Sequence, residues 1–215
     1  MWQKLDENGA GADPFAMVIP RFIICLSLAL TPLHVLADTA IIMKALDVTA
    51  SVPAPPWTKI ARIARDAETE RTRSLSDRGT DVFEHVYVPK GQSINSWDQL
   101  YAVQAETPLA GDAQAHRDLT ARAYRADCTN AVLAPVVQDR DRQVFVLFCP
   151  SLQGQPHMGE YAVMVVSKRD ETVLRVNYRK RVPSFDLTDQ SSLPASTDLI
   201  KQLVRYLNQA RLIPS

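Results

Sequence analysis

The stretch from Cys128 to Val182 constrains this chain most, because it carries the pattern of two consecutive β-hairpins. The polar runs Asp139–Arg142 and Lys168–Glu171 fall where the hairpins must turn, and both are rich in residues that tolerate turn geometry. Val144–Cys149 is apolar at every position, which predicts a central strand covered on both faces. In Leu174–Arg179 apolar and polar residues alternate, which predicts a strand with one buried face and one face in solvent.

The remaining patterns indicate an α+β fold, with a mainly antiparallel sheet of about five strands, a C-terminal helix and one further helix packed on it. The predicted strands lie near Asp81 to Pro89, Thr129 to Gln138, Gln143 to Pro150, Glu160 to Ser167 and Thr172 to Val182. The predicted helices lie near Ala113 to Ala126 and Thr197 to Ala210.

Each predicted helix has a capping residue and an apolar stripe. Asp112 is placed to cap the first helix, whose buried stripe we expect to be Ala115, Leu119 and Ala123. Ser196 is placed to cap the second helix. Apolar residues recur there at helical spacing, and we expect them to pack across the sheet: Ile200, Leu203, Val204 and Leu207.

The segments before the first predicted strand are less regular. Residues 38–56 end in a proline-rich run and are expected to be an extended lead-in, with a single globular domain over residues 57–215. From Trp57 to Thr72 the apolar spacing fits both a helix and a strand, so both remain open. The charged run from Arg71 to Arg78 is expected to be a loop.

An apolar run from Phe22 to Ala37 follows Arg21 and ends in small or aliphatic residues, which is typical of a secretory signal peptide cleaved after Ala37. A retained membrane anchor is the alternative, but a span needs roughly 20 apolar residues, and this run is shorter. Residues 1–16 carry a net negative charge, which does not suit the start of a signal. We therefore expect residues 1–16 to be an upstream extension and residues 17–37, from Met17, to be the signal peptide.

The charge balance argues against nucleic acid as a partner. The chain has 24 basic and 24 acidic residues. Removing the first 37 residues takes away two basic and three acidic residues and leaves 22 and 21. A nucleic-acid or anionic-membrane partner normally requires a clear basic excess. We also expect no stable membrane span once the signal is cleaved.

Two cysteines, Cys128 and Cys149, remain after removal of the signal, which carries Cys25. An exported protein enters a compartment where thiols oxidise, and the first hairpin should bring the two strand ends side by side. We therefore predict a Cys128–Cys149 disulfide. A pair of buried free thiols is the alternative, and it would apply if the chain stayed in the cytoplasm.

Three arginines, Arg175, Arg179 and Arg181, should project from one face of the last predicted strand. Guanidinium groups bind carboxylates and phosphates with two parallel hydrogen bonds, so the three form a candidate binding site for an acidic group. Charged residues also solubilise exposed strands and prevent edge-to-edge pairing, and that simpler interpretation is the favoured one here.

Glu84 lies among valines on one face of the strand near Asp81 to Pro89 and must be paired or hydrogen-bonded if it is buried. A structural partner is the favoured interpretation, but Glu84, Tyr87 and the nearby Trp97 are also candidate site residues. The sequence shows no metal-binding pattern, glycine-rich phosphate loop or nucleophile elbow. We therefore predict no catalytic residues, no metal and no cofactor.

Several of these residues together resemble a group of small secreted proteins of Gram-negative bacteria without an established activity. The resemblance rests on Glu84, Tyr87–Gln92, Trp97, Val103, Cys128, Cys149–Pro150 and Leu174–Arg181 before a C-terminal helix. It implies a periplasmic or secreted protein and supplies no catalytic residue. We expect a non-enzymatic binding or accessory module of the cell envelope, whose partner is an envelope protein or a small anionic ligand. The alternative is an envelope hydrolase with a site near Glu84, Tyr87 and Trp97.

Overall fold

A computed structural model describes residues 40–75 and 79–213 of the chain. The predictions for residues 1–16 and 17–37, and for the first two residues of the lead-in, lie outside the described residues. The described residues all belong to one compact unit. Among these residues, no helix has both the length and the apolar composition needed to cross a membrane.

Strands dominate the described part of the chain. They are β1 (Ile41–Ala45), β2 (Val48–Val52), β3 (Ala67–Leu75), β4 (Asp81–Pro89), β5 (Gln99–Thr107), β6 (Cys128–Thr129), β7 (Val132–Asp139), β8 (Arg142–Cys149), β9 (Ser151–Leu152), β10 (Met158–Arg169), β11 (Thr172–Pro183) and β12 (Arg211–Ile213). The α-helices are α1 (Ile63–Asp66), α2 (Ala113–Asp127) and α3 (Thr197–Leu207), and short 3-10 helices span Ile60–Arg62 and Gln190–Ser192.

The strands form one large antiparallel sheet and two smaller sheets. The large sheet has seven strands in the order β3-β4-β5-β11-β10-β8-β7, so β11 is its middle strand. The small sheets have the orders β1-β2-β12 and β6-β9. The prediction of an α+β fold with a five-stranded sheet is therefore wrong, because the described chain is mostly β. The prediction omitted two strands of this sheet. One is β3, whose polar sequence on the edge of the sheet has no apolar alternation to mark it, and the other is β5, which lies between β4 and β11.

The two faces of the large sheet are covered by different elements. On one face α3 and β2 contribute to a core cluster around Tyr161, Val163 and Tyr178. On the other face α2 packs against Phe145, Leu147 and Met164. Because both faces are covered, β8 is buried along almost its whole length, which confirms the prediction that it is a central strand.

The structure confirms both predicted turns and both helix caps. Asp112 accepts a hydrogen bond from the Ala115 backbone N–H at 2.9 Å, and Ser196 accepts one from Leu199 at 3.2 Å. The α3 residues Leu203 and Leu207 are buried as expected. The predicted C-terminal helix ends earlier than expected, however, and the chain continues into β12.

The buried stripe predicted for the first helix is wrong. The buried residues of α2 are Ala113, His116 and Ala121, whereas Leu119 is 51% exposed. The stripe was chosen from apolar residues alone, but α2 turns partly polar side chains toward the sheet. Tyr124 is one of them, and it contacts the core cluster beneath the helix.

The segment before β4 corrects two further expectations. Residues 57–72 contain both alternatives, since a helical turn over Ile60–Asp66 is followed directly by β3. The prediction of a loop from Arg71 is wrong for Arg71–Leu75, because these residues pair with β4. The proposed lead-in also contains the β1–β2 hairpin.

The predicted disulfide is present between Cys128 and Cys149, whose Cα atoms are 5.6 Å apart. It does not join two directly paired residues of β7 and β8. Cys128 instead follows α2 and pairs with Leu152 in the two-stranded sheet. The bridge therefore ties the C-terminal end of α2 to the end of β8.

Candidate functional site

The three predicted arginines lie on the middle strand of the large sheet, on the face that α2 partly covers. Strand β11 pairs with β10 on one side and β5 on the other. Arg175, Arg179 and Arg181 are all half-buried. The expectation of a solvent-exposed edge strand is therefore wrong. We call these three residues the arginine row.

Arg175 is held by a carboxylate of the neighbouring strand. Its two terminal nitrogens donate to the two oxygens of Glu106, one of them at 3.0 Å. The two side chains are about one-fifth exposed, at 22% and 19%. This ion pair neutralises the charge of Arg175 and leaves its Nε buried without a hydrogen-bond partner in the described part of the chain.

Arg179 forms a second ion pair, with Glu160 at the start of β10. Its Nε and Nη2 donate to Glu160 at 2.7 and 3.0 Å, and the Tyr124 hydroxyl on α2 also donates to this carboxylate. Glu160 is only 1% exposed, so it depends on these donors. The sequence analysis did not select Glu160 as a site residue. Its signal was a glutamate directly before the apolar run Tyr161–Val166, comparable to the glutamate among valines that singled out Glu84.

Aromatic rings flank the outer end of the arginine row. The Arg179 guanidinium lies 5.2 Å from the ring centroid of Trp97 and 5.5 Å from that of Tyr124. The Arg181 guanidinium lies 4.1 Å from the Trp97 ring, within the range of a cation–π interaction. Trp97 is 8% exposed, so its ring is held in place by packing where Arg181 stacks on it. The structure thus brings together Trp97 and two of the predicted arginines.

Arg181 differs from the other two arginines because no carboxylate of residues 40–75 and 79–213 forms an ion pair with it. One terminal nitrogen donates to the Trp97 carbonyl at 3.4 Å. Its Nε is buried and unpartnered among the described residues. Arg181 therefore keeps an uncompensated positive charge and an unused donor.

Glu84 and Tyr87, the remaining candidate site residues, lie on opposite faces of the large sheet. Glu84 lies on the face of the arginine row and accepts a hydrogen bond from Gln104 Nε2 at 2.8 Å. Tyr87, three residues further along β4, points to the opposite face and packs in the core cluster there. The structural partner expected for Glu84 is therefore present, and Glu84 and Tyr87 do not share a site.

Tyr87 instead lies beside His85, which is also buried, and the exposed Arg71 reaches His85 from the edge strand β3. Arg71 Nε donates to His85 Nε2 at 3.3 Å, which places the ring proton on Nδ1, 3.2 Å from the Tyr87 hydroxyl. The His85 and Tyr87 rings stack with centroids 4.3 Å apart. Burial, with a smaller effect from the Arg71 charge, lowers the pKa of His85 to about 4. His85 is therefore a neutral acceptor at neutral pH.

A cleft of about 270 Å³ opens between α2 and the middle of the sheet. Thr120 and Tyr124 bound it on the helix, and Gln104, Arg175 and Asn177 bound it on the sheet. The Asn177 Oδ1 atom is buried and has no hydrogen-bond partner among the described residues. The cleft therefore offers polar groups to a small ligand next to the arginine row.

Within the described ranges, no group of three or more histidine, cysteine, aspartate or glutamate side chains could hold a metal ion. Comparison of the chain with family models, with curated proteins and with solved structures finds no match. The candidate site is therefore defined by its own geometry. It is a half-buried arginine row in which two members pair with carboxylates, while no carboxylate of the described residues forms an ion pair with the third.

Proposed function

We propose that this protein is a non-enzymatic binding or accessory module of the cell envelope, periplasmic or secreted. Its arginine row receives an acidic group, carried by an envelope protein or by a small anionic ligand. The signal-like N-terminal segment supports export, and so does the Cys128–Cys149 disulfide, because disulfides persist in oxidising compartments.

The observation that carries this proposal is the contrast within the arginine row. Glu106 and Glu160 neutralise Arg175 and Arg179, whereas Arg181 keeps its charge on the face of Trp97. A half-buried guanidinium with an unused donor gains most from an anion that supplies both charge and hydrogen-bond acceptors. The stacking on Trp97 also restricts the guanidinium before binding, which lowers the entropic cost of ordering it.

A pull-down from envelope extract tests the proposal, with the wild-type protein and the Arg181→Gln variant compared as bait. We expect the variant to lose the partner or ligand that the wild type retains. Lys180→Gln is the matched control, because Lys180 is the adjacent basic residue on the same strand and points to the other face of the sheet. Equal recovery by all three baits would refute the role of Arg181.

Export is tested separately, by N-terminal sequencing of the protein recovered from the periplasm or the medium. We expect a mature chain that begins after Ala37. A mature chain that begins anywhere upstream of Val35 would refute signal cleavage at this site.

An envelope hydrolase near Glu84, Tyr87 and Trp97 is the alternative function. The position of Tyr87 on the face opposite Glu84 argues against a catalytic pair of these two residues. Screening the purified protein against generic esters, phosphates and glycosides tests it. Turnover that Glu84→Gln abolishes would favour the hydrolase over the binding module.

A further inference from the structure

A groove of about 630 Å³ lies beside α3, on the face of the sheet opposite the arginine row. One wall is the segment that leads from the proline-rich run into α1, and the other wall is α3 itself. The groove does not include any residue of the arginine row, so it is independent of the binding site proposed above.

The interior of the groove is largely apolar. Trp57 and Ile60 line one wall, and Leu199, Leu203 and Tyr206 line the other. Leu199 is 40% exposed in the groove wall. An apolar ligand chain would cover Leu199 and the partly exposed faces of Trp57 and Ile60.

The rim of the groove is basic. Lys59 and Arg62 line it and are exposed, and neither forms an ion pair with a carboxylate of the described residues. Asp66, the acidic residue of the lining, already accepts hydrogen bonds from Thr58 at 2.9 Å and from Arg65 at 2.7 Å. The lining of the groove therefore carries two basic side chains and one carboxylate, which Arg65 already pairs, beside an apolar interior.

Trp57 adds an unused hydrogen-bond donor. Its ring packs against Tyr178 with centroids 6.3 Å apart, and its Nε1 is buried without a partner in the part of the chain that the structure describes. A buried indole N–H normally finds an acceptor. A ligand oxygen that reaches this N–H would supply the missing acceptor.

We propose that this groove binds an anionic amphiphile with a single apolar chain, of the fatty-acid type. The apolar chain lies between Ile60 and the leucines of α3, and the carboxylate lies at the rim formed by Lys59 and Arg62. Each methylene of the ligand that enters the groove adds to its affinity through apolar burial. The charged head group meanwhile stays in water at the basic rim, so the groove favours a ligand that has both parts.

Calorimetric titration of the mature protein with dodecanoate, below the micelle concentration of dodecanoate, tests the proposal. We expect saturable binding of one molecule per chain, weaker binding of hexanoate, and weaker binding of the uncharged alcohol dodecanol. The Lys59→Gln/Arg62→Gln double variant should bind dodecanoate about fivefold to tenfold more weakly, the range expected for two exposed charges. Lys201→Gln, which removes an exposed lysine on α3 outside the groove, should bind like the wild type.

Two further measurements locate the ligand. Leu199→Glu places a carboxylate in the groove at an exposed position, and it should abolish binding while leaving the unfolding transition unchanged. A chain-brominated fatty acid should quench the fluorescence of Trp57, and the Trp57→Phe variant should lose that component of the quenching. Unchanged affinity in both Leu199→Glu and the double variant, or binding only above the micelle concentration, would overturn the proposal.

Discussion

Arg179 binds Glu160 through two hydrogen bonds, of 2.7 and 3.0 Å, and the carboxylate that it neutralises is almost fully buried. Glu160 in turn lies opposite Cys149 in the register of β10 with β8. The ion pair therefore links the middle strand of the sheet to the end that carries the disulfide. Tyr124 adds a bond from α2 to the same carboxylate, so three elements meet at one buried charge.

Removing one partner of this ion pair should destabilise the protein strongly. Arg179→Gln leaves Glu160 buried without its neutralising charge, and such a loss costs about 3–5 kcal/mol. Urea unfolding of the variant and the wild type measures the difference. The Glu160→Leu/Arg179→Met double variant should lose less than Arg179→Gln, because it leaves no unpaired charge. Lys180→Gln is the control. If Arg179→Gln loses no more stability than Lys180→Gln, the ion pair is not structurally important.

The packing of α3 on the sheet gives a second prediction. Leu203 is 7% exposed and lies in the main core cluster, so Leu203→Ala should lower the free energy of unfolding by about 2–5 kcal/mol. Leu199→Ala, a truncation of the same kind at an exposed position of the same helix, should cost about 0.5 kcal/mol or less. Denaturant unfolding measures both. A cost below about 1 kcal/mol for Leu203→Ala would contradict the packing described here.

Because of the disulfide, we expect the mature protein to have no free thiol. Under the proposed export Cys25 is removed with the signal segment, and Cys128 and Cys149 are bonded to each other. Thiol titration of the unfolded, unreduced protein should detect no reactive cysteine, and peptide mapping should recover the two linked peptides. The Cys128→Ser/Cys149→Ser variant should be less stable by about 3 kcal/mol, because the bridge restricts the unfolded chain over a separation of 21 residues. Two free thiols per chain would argue against both the bridge and export.

The buried histidine on β4 should make stability depend on pH. In the unfolded chain a histidine takes up its proton near pH 6.5, whereas burial and the Arg71 charge keep the pKa of folded His85 at about 4. The stability that His85 contributes is therefore present above pH 6.5, is lost as the pH falls toward 4, and stays constant below that. We expect a loss on the order of 1 to 2 kcal/mol once solvent screening is allowed for.

Urea unfolding between pH 7 and pH 4 measures this dependence, and His85→Gln should flatten it. Some slope of the same sign should remain, because burial also lowers the pKa of His116. NMR titration of the imidazole signals is the direct check. A His85 signal that titrates near pH 6.5 in the folded protein would contradict the buried neutral state.

Local patterns in the sequence predicted the elements whose signals are contained within a few residues. The turns at Asp139–Arg142 and Lys168–Glu171, the cap at Asp112 and the leucine spacing of α3 all follow from steric and hydrogen-bonding preferences of neighbouring residues. The Cys128–Cys149 pairing was also predictable, because only these two cysteines lie outside the predicted signal peptide. Each of these features depends little on the rest of the fold.

Only the tertiary structure decided where β11 lies and what its arginines contact. Alternation of apolar and charged residues indicates a solvent-exposed face when the strand is considered alone, but β11 is the middle strand and α2, Glu106 and Glu160 cover that face. The polar edge strand β3 was missed for the converse reason, since an edge strand needs no apolar face of its own once β4 pairs with it. Burial of a charge depends on partners that are distant in sequence, such as Arg179 for Glu160, and no local pattern in the chain encodes that pairing.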